Sequence, residues 1–350
     1  MTKQNLLGFT RQELEKTMIS LGEKPYRGRQ LFKWLYADRQ YDFDLMTDLS
    51  KDMRRRLDDS FEIRGLNLVQ SQASGDGTRK FLFELEDGRP LETVLIPEDD
   101  GRKTVCVSSQ VGCALKCGFC ATGTMGFMRN LTVGEIIGQL IYIRDEFGDD
   151  AFTNIVFMGM GEPMMNFDNV VEAIRIISAP SGLGLSAKRV TVSTSGVSPK
   201  IRKLADSGLK ARLAVSLHAA TQAKRVRIMP VAETFHLDKL MDAIKYYTDK
   251  TGYRVTFEYI VFKDFNDTME DVLALSKLIR GIPCKINLLA YNPVEGLEFD
   301  RPSDEKVDWF GRELYPRAPA VTVRKSRGRD IDAACGQLAA RQRTRSKLHA

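Results

Sequence analysis

Apolar positions along the chain follow two periods. In the first 75 residues they recur at helical spacing, so Thr10 to Leu21, Tyr26 to Asp38 and Leu49 to Phe61 each read as a helix. After the turn Gly75-Asp76-Gly77 the period drops to two. Phe81, Phe83 and Leu85 alternate, Glu86-Asp87-Gly88 turns the chain, and Leu91 to Ile96 returns, which predicts a β-hairpin. From about residue 104 short apolar runs alternate with helical stretches. Val105–Ser108, Asn154–Met158, Arg189–Ser193, Arg212–Leu217, Arg254–Phe262 and Lys285–Ala290 read as strands. Thr132–Phe147, Asn169–Ser178, Pro199–Ser207, Leu237–Thr251 and Thr268–Arg280 read as the helices between them. That alternation predicts an α/β fold with a parallel sheet, curled into a partial (β/α)6 TIM-like barrel. The expected division is a helical accessory domain at 1–75, a hairpin connector at 76–103, the barrel at 104–316 and a basic segment at 317–350.

Composition adds exclusions. Hydrophobic residues are 43% and charged residues 28% of the 350, ordinary for a globular chain. No stretch approaches the ~18 apolar residues of a membrane span. The polar N-terminus lacks the apolar core of a secretory signal, so a cytoplasmic location is expected. The net charge of +6 is uneven, because residues 317–350 hold nine basic and two acidic residues. Arg324, Lys325, Arg327 and Arg329 form one basic group, and Arg341, Arg343, Arg345 and Lys347 another. Such clustering points to a polyanion. The second group reads equally well as a solvated tail. The first, following an apolar strand, is expected to make an ordered phosphate contact.

The six cysteines are few, and no secretory signal accompanies them, which argues against a disulfide framework. Cys113, Cys117 and Cys120 form Cys-x3-Cys-x2-Cys, a spacing that lets one loop wrap a metal centre. Three thiolates leave a tetrahedral zinc site one ligand short, so zinc would need Cys106 or a remote residue. They suit a [4Fe–4S] cube with one open iron, free to bind substrate or cofactor.

The other polar clusters fall at strand ends, where the chemistry of such folds lies. Gly161 and Glu162 lie in Gly-Met-Gly-Glu-Pro, where glycine permits close backbone approach and the carboxylate can accept from an ammonium group. Ser193 opens Ser-Thr-Ser-Gly, Ser216-Leu217-His218 ends the next strand, and Asn292 follows the last. A tight turn at Gly161 and a structural hydrogen-bonding role for His218 are the plain alternatives.

With these strand ends, the cysteine motif resembles the radical S-adenosylmethionine (SAM) superfamily. The segments Ser108 to Cys113, Met158 to Pro163, Ser193 to Gly196 and Asp330 to Leu338 further resemble the RNA adenine C2-methyltransferases of the RlmN type. The resemblance spans nearly the whole chain. A sister group that methylates adenine C8 shares the cysteines, and Pro163 to Asn166 favour the C2 group.

The resemblance implies a set of roles. Cys113, Cys117 and Cys120 would hold the cluster, and Gly161, Glu162, Ser193, Ser216, Leu217, His218 and Asn292 would contact SAM. A first SAM would methylate Cys335, and a second would yield a 5′-deoxyadenosyl radical that activates the S-methyl group for addition to adenine C2. Glu92 would remove the C2 proton. Cys106 would then attack the sulfur of Cys335, releasing product and leaving a transient disulfide. Lys325, Arg327 and Arg329 are expected to favour the Cys335 thiolate. A buried thiol is the plain alternative for Cys106 and the expected state of Cys284. Implied partners are an adenosine in the peptidyl transferase region of 23S rRNA, the adenosine just 3′ of the tRNA anticodon, and a flavodoxin or ferredoxin as electron donor. Arg54-Arg55-Arg56 are expected to help position RNA, or to form a solvated helix face. A monomer without membrane contact is expected. A radical-SAM enzyme acting on a non-RNA substrate, and a zinc-dependent RNA-binding module, are the competing classes.

Overall fold

Short polar residues set the points at which apolar stretches become helices. Thr10, Thr132 and Thr268 each cap a helix through a reciprocal box with Glu13, Glu135 and Asp271, starting Arg11–Ser20, Val133–Phe147 and Met269–Leu278. These elements are described from a computed structural model covering residues 3–339. The anticipated helices are present to within two residues at each end. Arg341, Arg343, Arg345 and Lys347 lie outside the described residues.

The main sheet has ten strands. Seven are parallel, in the order Lys103–Cys106, Asn154–Phe157, Val190–Thr194, Arg212–Ser216, Val255–Val261, Cys284–Ala290 and Val321–Arg324. The expected six strands thus gain a seventh. It follows a helix, Asp304–Leu314, whose buried Val307, Phe310 and Leu314 were not read as periodic. Beyond Lys103–Cys106 the sheet continues antiparallel through Pro90–Pro97, Arg79–Glu84 and Asn67–Ala73. Asn67–Ala73 was assigned to the helical segment. Its exposed face is Asn67, Val69, Ser71 and Ala73 and its half-buried face sets Gln70 and Gln72 beside Leu68, which hides the strand period. A separate antiparallel pair, Gln110–Gly112 with Phe127–Asn130, frames the cysteine loop.

The two ends of the ten-strand order are not paired with each other, so the barrel stays open. The segment after the last strand reaches back to the first strands: Gly328 N–H donates to Asp76 at 2.8 Å and Ser74 Oγ donates to Asp330 at 2.6 Å. That contact requires a curled sheet. Crossover helices bury one face against it, as with Val170, Ile174 and Ile177 of Phe167–Ser178. At about 1.5–3 kcal/mol per large side chain, this burial is the main source of stability.

One buried polar residue ties the helical layer to the site. Gln139, on Val133–Phe147, has no solvent exposure. Its Oε1 accepts from Ser108 N–H at 2.8 Å and Thr93 Oγ1 at 2.7 Å, and its Nε2 donates to Ser108 O at 3.1 Å. Ser108 Oγ in turn donates to Glu92 O at 2.6 Å and accepts from Met160 N–H at 2.8 Å. Replacing Gln139 with Leu orphans the buried groups around Ser108. The expected loss is roughly 3 kcal/mol, read as a lower urea midpoint at unchanged slope; a loss under about 1 kcal/mol would contradict this role.

Candidate active site

The strand ends form an open cavity lined by Cys113, Cys117, Cys120, Gly161, Glu162, Ser193, Ser216, His218 and Cys335. Nine of the residues singled out in the sequence therefore share one space. Four others do not line it. Leu217 is fully buried behind the strand end, Asn292 holds the Cys335 carbonyl at 3.3 Å, and Cys106 and Glu92 lie behind the walls.

The cysteine loop is held by its backbone. Cys113 N–H donates to Gly126 O at 3.0 Å, and Gly118 N–H to Ile228 O at 2.9 Å. Burial pushes the Cys113 thiol up to about 12 and the Cys117 thiol well above its ordinary value, so neither ionises without a cationic partner. Among the described residues no three His, Cys, Asp or Glu side chains converge tightly enough to grip one metal ion. Cys117 is buried and Cys113 and Cys120 are half-buried, and three soft thiols lining one cavity suit a [4Fe–4S] cluster.

The second strand end is built around Glu162. Oε2 accepts from Ser195 N–H at 2.7 Å and Oε1 from Met164 N–H at 3.1 Å, while its own N–H donates to Gln110 Oε1 at 2.8 Å. Burial raises its pKa and these backbone donors oppose the rise. Gly161 has φ +95°, and a Cβ there would lie 2.4 Å from Gln110 Cβ. Its glycine is required by the cysteine loop as well as by any ligand. His218 is buried, and its Nδ1 accepts from Ile260 N–H at 3.1 Å. Burial pulls it down to about 3, so the ring is neutral with its proton on Nε2.

Cys335 is exposed to the cavity, carried on a loop that docks on the cysteine loop. Ala121 N–H donates to Gly336 O at 2.7 Å and Thr122 Oγ1 to Leu338 O at 2.6 Å. Burial raises its thiol, and the Arg324 guanidinium opposes the rise. Arg324, rather than Lys325, Arg327 or Arg329, is the cation that acts on Cys335. Burial raises Cys106 above its ordinary value, and Cys335 adds to the rise, which makes the two neighbours. All six cysteines are free, so the disulfide implied for Cys106 and Cys335 is not a standing bond of the structure. Cys284 is buried, as expected.

Glu92 is 1% exposed and pairs with Lys80 at 3.0 Å; its Oε2 accepts from Ala339 N–H at 2.9 Å. Lys80 also donates to Asp332 O at 3.3 Å, so this pair fastens the Cys335 loop from behind.

Two wall residues were missed. Glu258, buried, accepts from Asn287 Nδ2 at 2.9 Å, and Arg324 lies opposite. A carboxylate inside the apolar run Val-Thr-Phe-Glu-Tyr-Ile-Val was the available signal. Several of the basic side chains singled out in the sequence hold partners within the chain. Arg324 is bound to Glu98 at 3.3 Å, Arg327 to Asp99, Arg55 to Asp52 at 2.9 Å and Arg56 to Glu23, while Arg54 donates to Asp44 O. Lys325 and Arg329 are exposed.

Comparison with known proteins agrees with this geometry. Residues 4–63 match the ribosomal RNA large subunit methyltransferase N-terminal domain, and residues 107–276 match the radical SAM superfamily. The chain is 47% identical over 340 residues to a probable dual-specificity RNA methyltransferase RlmN of Christiangramia forsetii, covering 96% of each chain. It is 45% identical over 340 residues to a dual-specificity RNA methyltransferase RlmN of Solidesulfovibrio magneticus, again covering 96% of each. The crystal structure of a radical SAM methyltransferase from Sphaerobacter thermophilus superposes with a TM-score of 0.91 at 42% identity, covering 97% of this chain and all of that one. No helix among the described residues is long and apolar enough to cross a membrane. Open parallel barrel, three-cysteine cavity and near full-length identity together place the chain in the RlmN family of radical SAM RNA methyltransferases.

Proposed function

We propose that the protein methylates carbon 2 of an adenine in 23S rRNA and in tRNA, using Cys335 as methyl carrier and Cys106 as resolving thiol. The observation that carries this reading is the placement of Cys335 in the wall of the three-cysteine cavity, with Cys106 beside it. Adenine C2 is an electron-poor amidine carbon and a weak nucleophile toward a sulfonium methyl, so the methyl needs a carrier and a radical route. When bound, a [4Fe–4S] cluster on Cys113, Cys117 and Cys120 supplies one electron to SAM, and two SAM molecules per turnover supply the methyl group and the hydrogen-abstracting radical.

The chain's own residues do the rest. Arg324 favours the Cys335 thiolate that displaces the first methyl. Glu162, Ser193, Ser216 and the Nε2–H of His218 line the space where SAM binds, with Leu217 and Asn292 holding the strand ends behind them. Glu92 accepts the C2 proton once the Ala339 N–H leaves its carboxylate. Once the adduct has lost the C2 proton and one electron, which returns to the electron-transfer system, the Cys106 thiolate attacks the Cys335 sulfur. The carbon leaves as an enamine-type anion that takes a proton to become the methyl group, and the two sulfurs form a disulfide that an external thiol reduces. Lys325 and Arg329 supply phosphate contacts to a substrate whose target base is unstacked into the cavity. A flavodoxin or ferredoxin supplies the electron, and the enzyme works as a monomer.

Anaerobic incubation of reconstituted protein with unmodified RNA, SAM and reductant should give 2-methyladenosine by nucleoside mass spectrometry. The 8-methyl isomer would assign the sister chemistry instead. Cys335→Ala should make less than one product per enzyme with iron and sulfide content intact, and sustained turnover would sink the carrier role. Cys106→Ala should accumulate a protein–RNA adduct, visible as a nuclease-sensitive slow band on a denaturing gel.

The neutral state of His218 gives a pH test. The unfolded imidazole titrates near 6.5, whereas the folded ring stays neutral down to about 3. Between those values the unfolded state binds the extra proton, so this residue's term lowers stability as pH falls. His218→Gln should therefore show a shallower fall in urea midpoint from pH 7 to pH 4 than the parent, and parallel falls would contradict a neutral buried imidazole.

A further inference from the structure

Arg225 heads the largest fully buried side chains of the described residues, at 0% exposure. It sits on the helix Gln222–Ile228. Its neighbours on that helix, Lys224 and Arg227, pair with Asp271 and Glu298. Arg225 instead donates through Nη2 to the carbonyl oxygens of Ser195 at 2.5 Å and Ser216 at 3.3 Å. Its Nε and Nη1 have no hydrogen-bond partner. A buried guanidinium without a paired anion is expensive, by several kcal/mol. Burial lowers its pKa only to about 10, so it remains a cation at neutral pH.

The surroundings say which anion would offset that cost. Two groups favour the charged guanidinium, first Cys117 and then Glu162. Glu162 already takes two backbone N–H donors. Cys117 has no comparable partner. One turn beyond Arg225, the carbonyl of Ile228 accepts from Gly118 N–H at 2.9 Å, directly after Cys117. Cys117 packs in the same apolar cluster as Ile228 and Met229. The helix carrying Arg225 is thus fastened to the cysteine loop at its ligand. Gly196, at φ +112°, leaves space for the guanidinium: a Cβ there would lie 3.0 Å from Nη2.

We infer that Arg225 is a positioning residue for the cluster, a fixed buried cation that offsets the negative charge of the thiolate-held centre on its Cys117 side and thereby raises its reduction potential. The inference rests on the cluster reading given above. A cube held by three thiolates is anionic, and reduction adds a further negative charge within a site that excludes water. Net charge and burial are the levers by which a protein sets such potentials.

The test is a redox titration, followed by electron paramagnetic resonance, of anaerobically reconstituted full-length protein. Arg225→Met removes the charge, Arg225→Lys keeps it without the fork, and Arg225→Gln keeps a donor for the strand-end carbonyls without the charge. Iron and sulfide analysis reports loading in each. The expected result is a midpoint near the parent's in Arg225→Lys and a more negative one in Arg225→Met. At a fixed potential the reduced-to-oxidised ratio in Arg225→Met should fall about tenfold, or ~59 mV for one electron. If Arg225→Met fails to fold, the same negative shift is expected in Arg225→Gln. A fully loaded Arg225→Met or Arg225→Gln protein with the parent's midpoint would overturn the inference alone, as would equal shifts in Arg225→Lys and Arg225→Gln. A parent protein that assembles no [4Fe–4S] centre would overturn the functional reading together with this inference.

Discussion

The site depends on the docking of one loop onto another. Backbone and hydroxyl donors of Ala121 and Thr122, immediately after the third cysteine, hold the carbonyls of Gly336 and Leu338 on either side of Gln337. Asn292 holds the carbonyl of Cys335 itself, and Gln337 returns a donor to Pro293 O at 3.2 Å. Each bond is worth only about 1 kcal/mol net. Together they fix the Cys335 sulfur relative to a three-cysteine cavity, across more than 200 positions of chain. Proximity of this kind is what turns transfer between separate groups into an effectively unimolecular event. The buried Lys80–Glu92 pair braces the loop from the opposite side, so a carboxylate beside the chemistry also serves as an anchor.

Burial sets the electrostatics of the same region. Desolvation disfavours charge on several groups near the cavity, raising Cys106, Cys113, Glu162 and Glu258 and lowering His218 and Arg225. The groups that ionise must be supplied with partners. Glu162 has backbone N–H donors, Cys335 has Arg324, and His218 simply stays neutral. Cys117 has Arg225, while Cys113 and Cys120 add to its rise, so the three-cysteine set suits a metal centre that takes up the thiolate charge.

Much of this was legible along the chain. Strand-and-helix alternation revealed the parallel sheet because each crossover helix carries an unbroken apolar face, as in Phe167–Ser178. The cysteine loop and most strand-end ligands could be read from spacing, since a short loop keeps its residues together in space. What escaped was non-local or hidden by polarity. Asn67–Ala73 joins the sheet through backbone pairing with Arg79–Glu84, although its side chains are mostly polar. The cation acting on Cys335 was expected among Lys325, Arg327 and Arg329 and proved to be Arg324, because strand register decides which side chain faces the cavity. Arg225 gave no signal at all, since a buried arginine reads like a surface one.

The open edge of the barrel explains why one irregular segment completes the cavity wall with Cys335. A closed barrel of this kind fills its interior with side chains. Here the sheet stops after Val321–Arg324, and its other end extends away as a meander. The gap is bridged by the segment from Lys325 onward, tied to Asp76, Asp99 and Ser74 on the far side. Such a bridge is secured by hydrogen bonds and ion pairs, not by sheet pairing. It can therefore carry a reactive residue on irregular backbone, where Asp332 adopts φ +53°. A strand in the same place would have pointed alternate side chains away from the cavity and paired its backbone with the neighbouring strand. Leaving the sheet open thus supplies both the volume of the cavity and the irregular backbone on which Cys335 sits.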